Sequence, residues 1–240
     1  MLGPLRHAFR LFKRELGDRR GAAQPPDAKL FVIHPFWLGE ADFPRYFERA
    51  APRTLVSADR CYVLYTLLRQ AVRVTGDVWE CGVYKGGTAA MMAAYLRDAM
   101  PSKRLYLFDT FEGMPETDLA KDLHRKGDFS DTTAEEVARY VGCEELCIVR
   151  KGLMPETFTG LESAQIALAH IDVDIYKSIM DCLRFIWPRL SLGGVVVFDD
   201  YGFPTCPGAR AAVDEFFAAE TCVPLCLSTG QAIVFKGVSS

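Results

Sequence analysis

The chain has 240 residues, half of them hydrophobic and a quarter charged, and its 28 basic and 31 acidic side chains leave a formal net charge of −3. Those proportions belong to a soluble globular protein and exclude a disordered, collagen-like or membrane-spanning one, since no apolar run approaches the roughly 18 residues a bilayer needs. A slightly acidic total also argues against sequence-independent nucleic-acid binding, which needs a basic field to displace counterions.

Taken in chain order, the first twenty residues carry Arg6, Arg10, Lys13, Arg14, Arg19 and Arg20, with Leu2, Leu5, Phe9, Phe12 and Leu16 at helical spacing. This predicts a basic amphipathic helix, packed on the body or a partner, or lying on a membrane surface. It lacks the long apolar stretch and cleavage site of a secretory signal. Residues 21–27, with Pro25 and Pro26, read as a linker. Residues 1–57 are therefore expected to be an appendage of helix, linker and a lid or acceptor-pocket segment in front of a body at 58–240.

Within the body, Leu64, Leu67, Leu68 and Ala71 predict a helix over 58–72. A strand at 77–82, a helix at 87–100 stopped by Pro101, and a strand at 104–108 follow. Residues 110–131 are polar and irregular, which predicts a mobile lid that orders on ligand binding. Next come a helix at 132–141 capped by Asp131, Thr132 or Thr133, strands at 146–150 and 165–171, and a helix at 176–190 bent by Pro188. The run at 195–198 is apolar throughout, as suits a strand covered on both faces, and a helix at 208–219 follows it. The alternation means an α/β fold, a doubly wound and mostly parallel sheet between helices. Two last strand-like runs, 222–228 and 231–235, are separated only by Thr229 and Gly230. So short a join links antiparallel strands, which predicts an antiparallel C-terminal hairpin at one sheet edge.

The eight cysteines include no C-x-x-C pair and fall mostly in apolar segments. Reduced, buried thiols and a cytoplasmic location are expected, with Cys222 and Cys226 on one face of a strand.

Glu80-Cys81-Gly82-Val83-Tyr84-Lys85-Gly86-Gly87-Thr88 lies where the first strand hands over to a helix, at the sheet edge where open α/β folds bind ligands. Tyr84 stands where the nicotinamide fingerprint needs its second glycine, and no Gly-Lys-Ser/Thr ending makes a P-loop. An E-x-G-x-x-x-G turn fits S-adenosylmethionine better. Glu80 could accept from that ligand's ammonium or steady the loop, and Asp109, ending the second strand, could take both ribose hydroxyls.

Asp172-Val173-Asp174 closes the fourth strand and Asp199-Asp200 the fifth. Neighbouring strand ends lie about 5 Å apart, so Asp172, Asp199 and Asp200 are expected to converge with Asp174 nearby. Clustered anions need a cation, and an all-oxygen set suits Mg²⁺. The competing reading makes each aspartate a helix cap. With a cation present, a substrate hydroxyl would lose its proton near neutral pH, to Asp172 or Asp174.

With these motifs go Phe108-Asp109-Thr110-Phe111-Glu112-Gly113-Met114-Pro115, Phe129-Ser130-Asp131-Thr132-Thr133, Ile171-Asp172-Val173-Asp174-Ile175-Tyr176 and Phe198-Asp199-Asp200-Tyr201-Gly202. Together with the glycine turn they resemble the macrocin O-methyltransferase family, over about two-thirds of the chain. The resemblance implies a class I methyltransferase fold over 58–240, of which the antiparallel ending is typical, and the cofactors S-adenosylmethionine and Mg²⁺. It implies metal ligation by Asp172, Asp199 and Asp200, with Asp172 doubling as base, and cofactor contacts at Glu80, Gly82, Val83, Tyr84, Asp109, Ser130 and Asp131. Where the best-known members place an acidic residue and then Ser after the tyrosine, this chain has Lys177-Ser178. The expected partner is a small hydroxylated acceptor, a sugar or other natural product, and the chain is compatible with a homo-oligomer.

The remaining histidines and aromatics read two ways. His124 is a solvated loop residue or an auxiliary base, His170 a core histidine or a ligand, and His34, Trp37 and Phe43 either line an acceptor pocket or pack. Two other functions compete: a glycosyltransferase using Asp172-Val173-Asp174 as a D-x-D nucleotide-sugar motif, and a non-catalytic binding module.

Overall fold

The computed structural model describes residues 36–142 and 145–237; the predicted basic helix and linker, His34 and Cys143 lie outside them. Among the described residues seven strands make one sheet: β1 (Asp77–Cys81), β2 (Leu105–Asp109), β3 (Cys147–Lys151), β4 (Ile166–Ile171), β5 (Leu190–Phe198), β6 (Leu225–Cys226) and β7 (Ala232–Phe235). Their order is β3-β2-β1-β4-β5-β7-β6. The first five pair in parallel, and β7 runs antiparallel to both β5 and β6. The helices are α1 (Phe43–Ala50), α2 (Ala58–Ala71), α3 (Gly87–Ala99), α4 (Ala134–Val141), α5 (Tyr176–Arg189) and α6 (Pro207–Phe217).

Alternation along the strands divides the interior into two layers. Val78, Leu105, Leu107, Leu168, Val195 and Val197 pack with α1 to α4. Trp79, Cys81, Phe108, Ala169, Ile171, Val196 and Phe198 pack with α5 and α6. Because both faces are covered, the central strands carry apolar side chains at nearly every position. Helix α1 lies in the segment set apart as an appendage, and its Phe43, Tyr46 and Ala50 are buried in the same layer as Leu64 and Leu68 of α2. Phe43 and Trp37 pack on Tyr62, and neither is among the described residues that line the cavity beside the strand ends.

The tail is shorter in strand than its sequence suggests. Only Leu225–Cys226 pairs, and Leu227 N–H closes the hairpin on Gln231 C=O at 2.8 Å. Cys222 lies outside the strand and Cys226 is exposed, whereas Cys61, Cys81, Cys182 and Cys206 are buried; all described cysteines are free thiols. Among the described residues no helix is long and apolar enough to cross a membrane.

Segment 110–131 lacks regular structure, as expected, but it is pinned to the body. Buried Asp122 accepts Tyr176 N–H at 2.9 Å, capping the otherwise uncapped first turn of α5, and accepts Asp118 N–H at 3.1 Å. Gly208 of α6 leaves the room for this contact, since a Cβ there would sit 1.9 Å from Asp122 Oδ1. Asp122→Ala should therefore cost about 1–2 kcal/mol of stability and speed protease cleavage between residues 110 and 131. Denaturant unfolding with limited proteolysis checks both, and unchanged values would mean the loop is held by other contacts.

Candidate active site

The strand register builds the floor of the site. Glu80 of β1 pairs with His170 of β4, and His170 with Val197 of β5, so their inward positions line up across the sheet. Glu80 Oε1 lies 3.0 Å from His170 Nδ1, and His170 Nε2 lies 3.6 Å from Asp199 Oδ1, too far for a hydrogen bond. Gln231, just before β7, donates to the same Asp199 oxygen at 2.8 Å, and the Arg60 guanidinium of α2 caps Asp199 Oδ2. Glu80, His170, Asp199 and Gln231 are all fully buried. Burial opposes a charged His170, but the Asp199 and Glu80 carboxylates flanking it outweigh that cost and lift its pKa. Burial also works to raise Asp199, and Arg60 and His170 instead hold it below the usual carboxylate range.

Above this row opens a cavity of about 520 Å³, lined among others by Gly82, Tyr84, Asp109, His124, Asp172, Asp174, Asp199, Asp200 and Cys206. Its size is that of small-molecule sites in general. Glu80 is not in its wall. The side chain points into the sheet layer beneath, against His170.

The glycine turn forms one wall. At Gly82, φ is +85°, and a Cβ would lie 1.8 Å from the Asp172 carbonyl oxygen. That overlap explains the glycine: the ends of β1 and β4 touch here, with Asp172 N–H donating to Cys81 C=O at 2.8 Å. Gly82→Ala should destabilise the fold by at least about 2–3 kcal/mol and open the site, as thermal unfolding and ligand binding would register. A variant of normal stability would contradict the close approach.

Asp109 locks the turn in place. Its Oδ2 accepts Val83 N–H (2.7 Å) and Tyr84 N–H (2.9 Å), and its Oδ1 accepts Phe111 N–H (2.8 Å). Tyr84 takes the left-handed φ of 48° that these bonds enforce. Its hydroxyl donates to Asp131 Oδ1 at 2.8 Å, its ring meets Phe129 edge-on, and Thr132 Oγ1 donates to its carbonyl. Ser130 and Asp131 are thus brought beside the turn, though both are exposed and outside the cavity wall. Val83 contributes through its backbone, its side chain being buried in the core.

Asp172, Asp199 and Asp200 all reach the cavity. One carboxylate oxygen each of Asp172 and Asp199 lies within 4.8 Å of the other and of a His170 ring nitrogen. Asp200 stands apart from that triplet, its Oδ2 accepting Asp174 N–H at 3.0 Å. None of the three caps a helix: α5 and α6 begin at Tyr176 and Pro207 without a side-chain cap from their N-cap residues Ile175 and Cys206, and Tyr176 N–H is taken by Asp122. Burial, reinforced by Asp199 and Asp200, pushes Asp172 well above the normal range, and burial with Asp174 and Asp199 does the same to Asp200. Burial and the Asp172 charge push Asp174 up to about 7.

These residues fit a hard divalent cation. The donors are oxygens, the Asp172 carboxylate has no hydrogen-bond partner among the described residues, and burial together with repulsion among the neighbouring carboxylates keeps Asp172 and Asp200 raised even with the Arg60 guanidinium nearby. Arg60, Gln231 and Asp122 are the site residues that sequence reading missed. Arg60 sits in a helix recognised by its apolar stripe, and Gln231 beside the hairpin tip, each far from its partner along the chain.

Residues 42–226 match the macrocin O-methyltransferase (TylF) family. A 4'-O-methyltransferase of Streptomyces olivaceus, acting on 8-demethyl-8-(2,3-dimethoxy-alpha-L-rhamnosyl)-tetracenomycin-C, is 32% identical over 198 residues, 74% of each chain. The demethyldecarbamoylnovobiocin O-methyltransferase of Streptomyces niveus is 31% identical over 60% of this chain and 59% of its own. Among solved structures, the O-methyltransferase NovP superposes with a TM-score of 0.70 at 25% identity, covering 78% of this chain and 83% of that one. Asp172-Val173-Asp174 falls inside the matched segment, which sets aside its reading as a nucleotide-sugar motif. The chain belongs to the macrocin O-methyltransferase family and is an S-adenosylmethionine-dependent O-methyltransferase.

Proposed function

We propose that the chain methylates a hydroxyl of a deoxysugar carried by a natural product, and that it does so with Mg²⁺ held by Asp172, Asp199 and Asp200. The observation that carries this reading is that all three carboxylates line the cavity that the glycine turn and Asp109 also line, with oxygens of Asp172 and Asp199 within 4.8 Å of each other. The sugar is inferred from the relatives, whose names specify rhamnosyl and mycinamicin 3''-O-methylation.

Bound S-adenosylmethionine supplies an electrophilic methyl, and bound Mg²⁺ a Lewis acid that lowers the pKa of an acceptor hydroxyl. The chain's own residues do the rest. Gly82, Val83 and Tyr84, latched by Asp109, shape the donor pocket, with Ser130 and Asp131 at its rim and Glu80 steadying the strand end from below. The turn 172–174 receives the acceptor's proton. Asp172 is the first candidate by position. Asp174 is better suited once Asp172 holds a cation, because its carboxylate also lines the cavity and is not among the proposed ligands. Met114, Phe129, Leu153 and Met154 give the cavity an apolar side that limits water near the sulfonium. Lys177, paired with Asp181, sits at the same cavity where an acceptor would enter.

Methyl transfer from labelled S-adenosylmethionine to a panel of rhamnosyl and related deoxysugar glycosides, with Mg²⁺ or with a chelator, tests this reading. Transfer to a glycoside that stops on chelation is expected. Turnover undiminished by the chelator would overturn the metal role, and transfer to phenols alone would overturn the sugar.

A further inference from the structure

One cluster in the cavity wall has a different chemistry from the aspartate centre. His124 comes from the pinned 110–131 segment, Asp174 from the turn after β4, and Cys206 from the first residue before α6. Cys206 Sγ lies 3.3 Å from Asp174 Oδ1 and 3.6 Å from His124 Nε2, and that nitrogen lies 3.7 Å from the same Asp174 oxygen. A tetrahedral Zn²⁺ with ordinary Zn–S, Zn–N and Zn–O bonds would hold its ligand atoms roughly 3.3–3.6 Å apart. The three atoms already form a triangle of that size. His124 is also oriented as metal-binding histidines are, with Nδ1 directed at Asp128 Oδ2 (3.3 Å), a carboxylate itself fixed by Arg125 N–H at 2.9 Å.

We propose that His124, Asp174 and Cys206 form a second cation site, built for a borderline-soft transition metal such as Zn²⁺ and distinct from the all-oxygen Mg²⁺ centre. Three protein ligands would leave a fourth position open, and all three residues line the cavity. Binding displaces the thiol proton to solvent, so the thiolate becomes the ligand. Burial and the neighbouring Asp200 and Asp174 carboxylates push the free Cys206 thiol well above the usual range, so the thiolate forms only as the cation binds, with exchange confined to the cavity side. An ion held there engages Asp174 and His124, so in the zinc-bound chain the acceptor's proton falls to Asp172, the first candidate by position. Mg²⁺ does not compete, because a thiolate and an imidazole suit it poorly.

The test is zinc binding by the full chain against a chromogenic chelator with millimolar Mg²⁺ present throughout, paired with Co²⁺ substitution read by absorbance. One zinc per chain is expected, together with a thiolate-to-cobalt charge-transfer band. Cys206→Ser and His124→Gln should each weaken zinc binding about 100-fold or more, with the band lost in the first. Asp128→Asn should weaken it about 10-fold. Cys226→Ser, on exposed β6, should change nothing. Unaltered zinc affinity in either ligand variant, or a cobalt spectrum without the thiolate band, would overturn the site. Its failure leaves the Mg²⁺ reading intact, since the two share no ligand.

Discussion

Asp172→Asn should reduce methyl transfer about 100-fold or more while leaving the metal-free protein as stable as before, or more stable. The carboxylate it removes makes no hydrogen bond to the described protein and faces the like charges of Asp199 and Asp200. Neutralising it relieves repulsion and strips a cation ligand in one step. Asp199→Asn should lose activity to the same degree for a different balance of reasons. Asp199 is fully buried between Arg60, His170 and Gln231, so removing its charge leaves the guanidinium unpaired at a cost of about 3–5 kcal/mol. Thermal unfolding, Mg²⁺ calorimetry and turnover of the two variants should separate function from structure. Donor affinity should stay within a few-fold in both. A destabilised Asp172→Asn protein with normal turnover would reverse the assignment, making Asp172 structural.

The second large effect is at Asp109. Asp109→Ala should weaken binding of S-adenosylhomocysteine roughly 100-fold, about 3 kcal/mol, with a smaller fall in turnover at saturating donor. The physical cause has two parts. The side chain lines the cavity, where it can meet a ribose, and it also holds Val83, Tyr84 and Phe111 N–H. Without it, Tyr84 loses the bonds that keep its left-handed backbone, and the donor pocket relaxes. Asp109→Asn should rescue little, because an amide presents N–H where backbone N–H groups already point. Calorimetry showing unchanged donor affinity in Asp109→Ala would contradict the latch.

Much of the fold was legible because its signals are local. The glycine turn, the apolar central strands and the short C-terminal join each announce themselves within ten residues, and together they carry the strand sequence and the antiparallel edge. Contacts between distant segments were not legible. Polarity made 110–131 look like a free lid, yet a single buried carboxylate, Asp122, ties it to a backbone N–H 54 residues away. Arg60 reaches Asp199 across 139 residues, and no periodicity signals such a pair. Helix α1 was readable in principle, since Phe43, Tyr46, Phe47 and Ala50 recur at helical spacing, but the charged residues between them hid it. Glu80 illustrates the period-two rule: its neighbours Trp79 and Cys81 face α5, so Glu80 must face the opposite layer, where register sets it against His170.

Anomalous diffraction from crystals grown with Mn²⁺ and S-adenosylhomocysteine would probe the carboxylate centre most directly. One strong peak is expected within bonding distance of Asp172, Asp199 and Asp200, with the ligand's sulfur in the adjoining cavity and Asp199 Oδ2 no longer held by Arg60 alone. No peak at these aspartates, with the Arg60–Asp199 pair intact and the thioether bound, would contradict it.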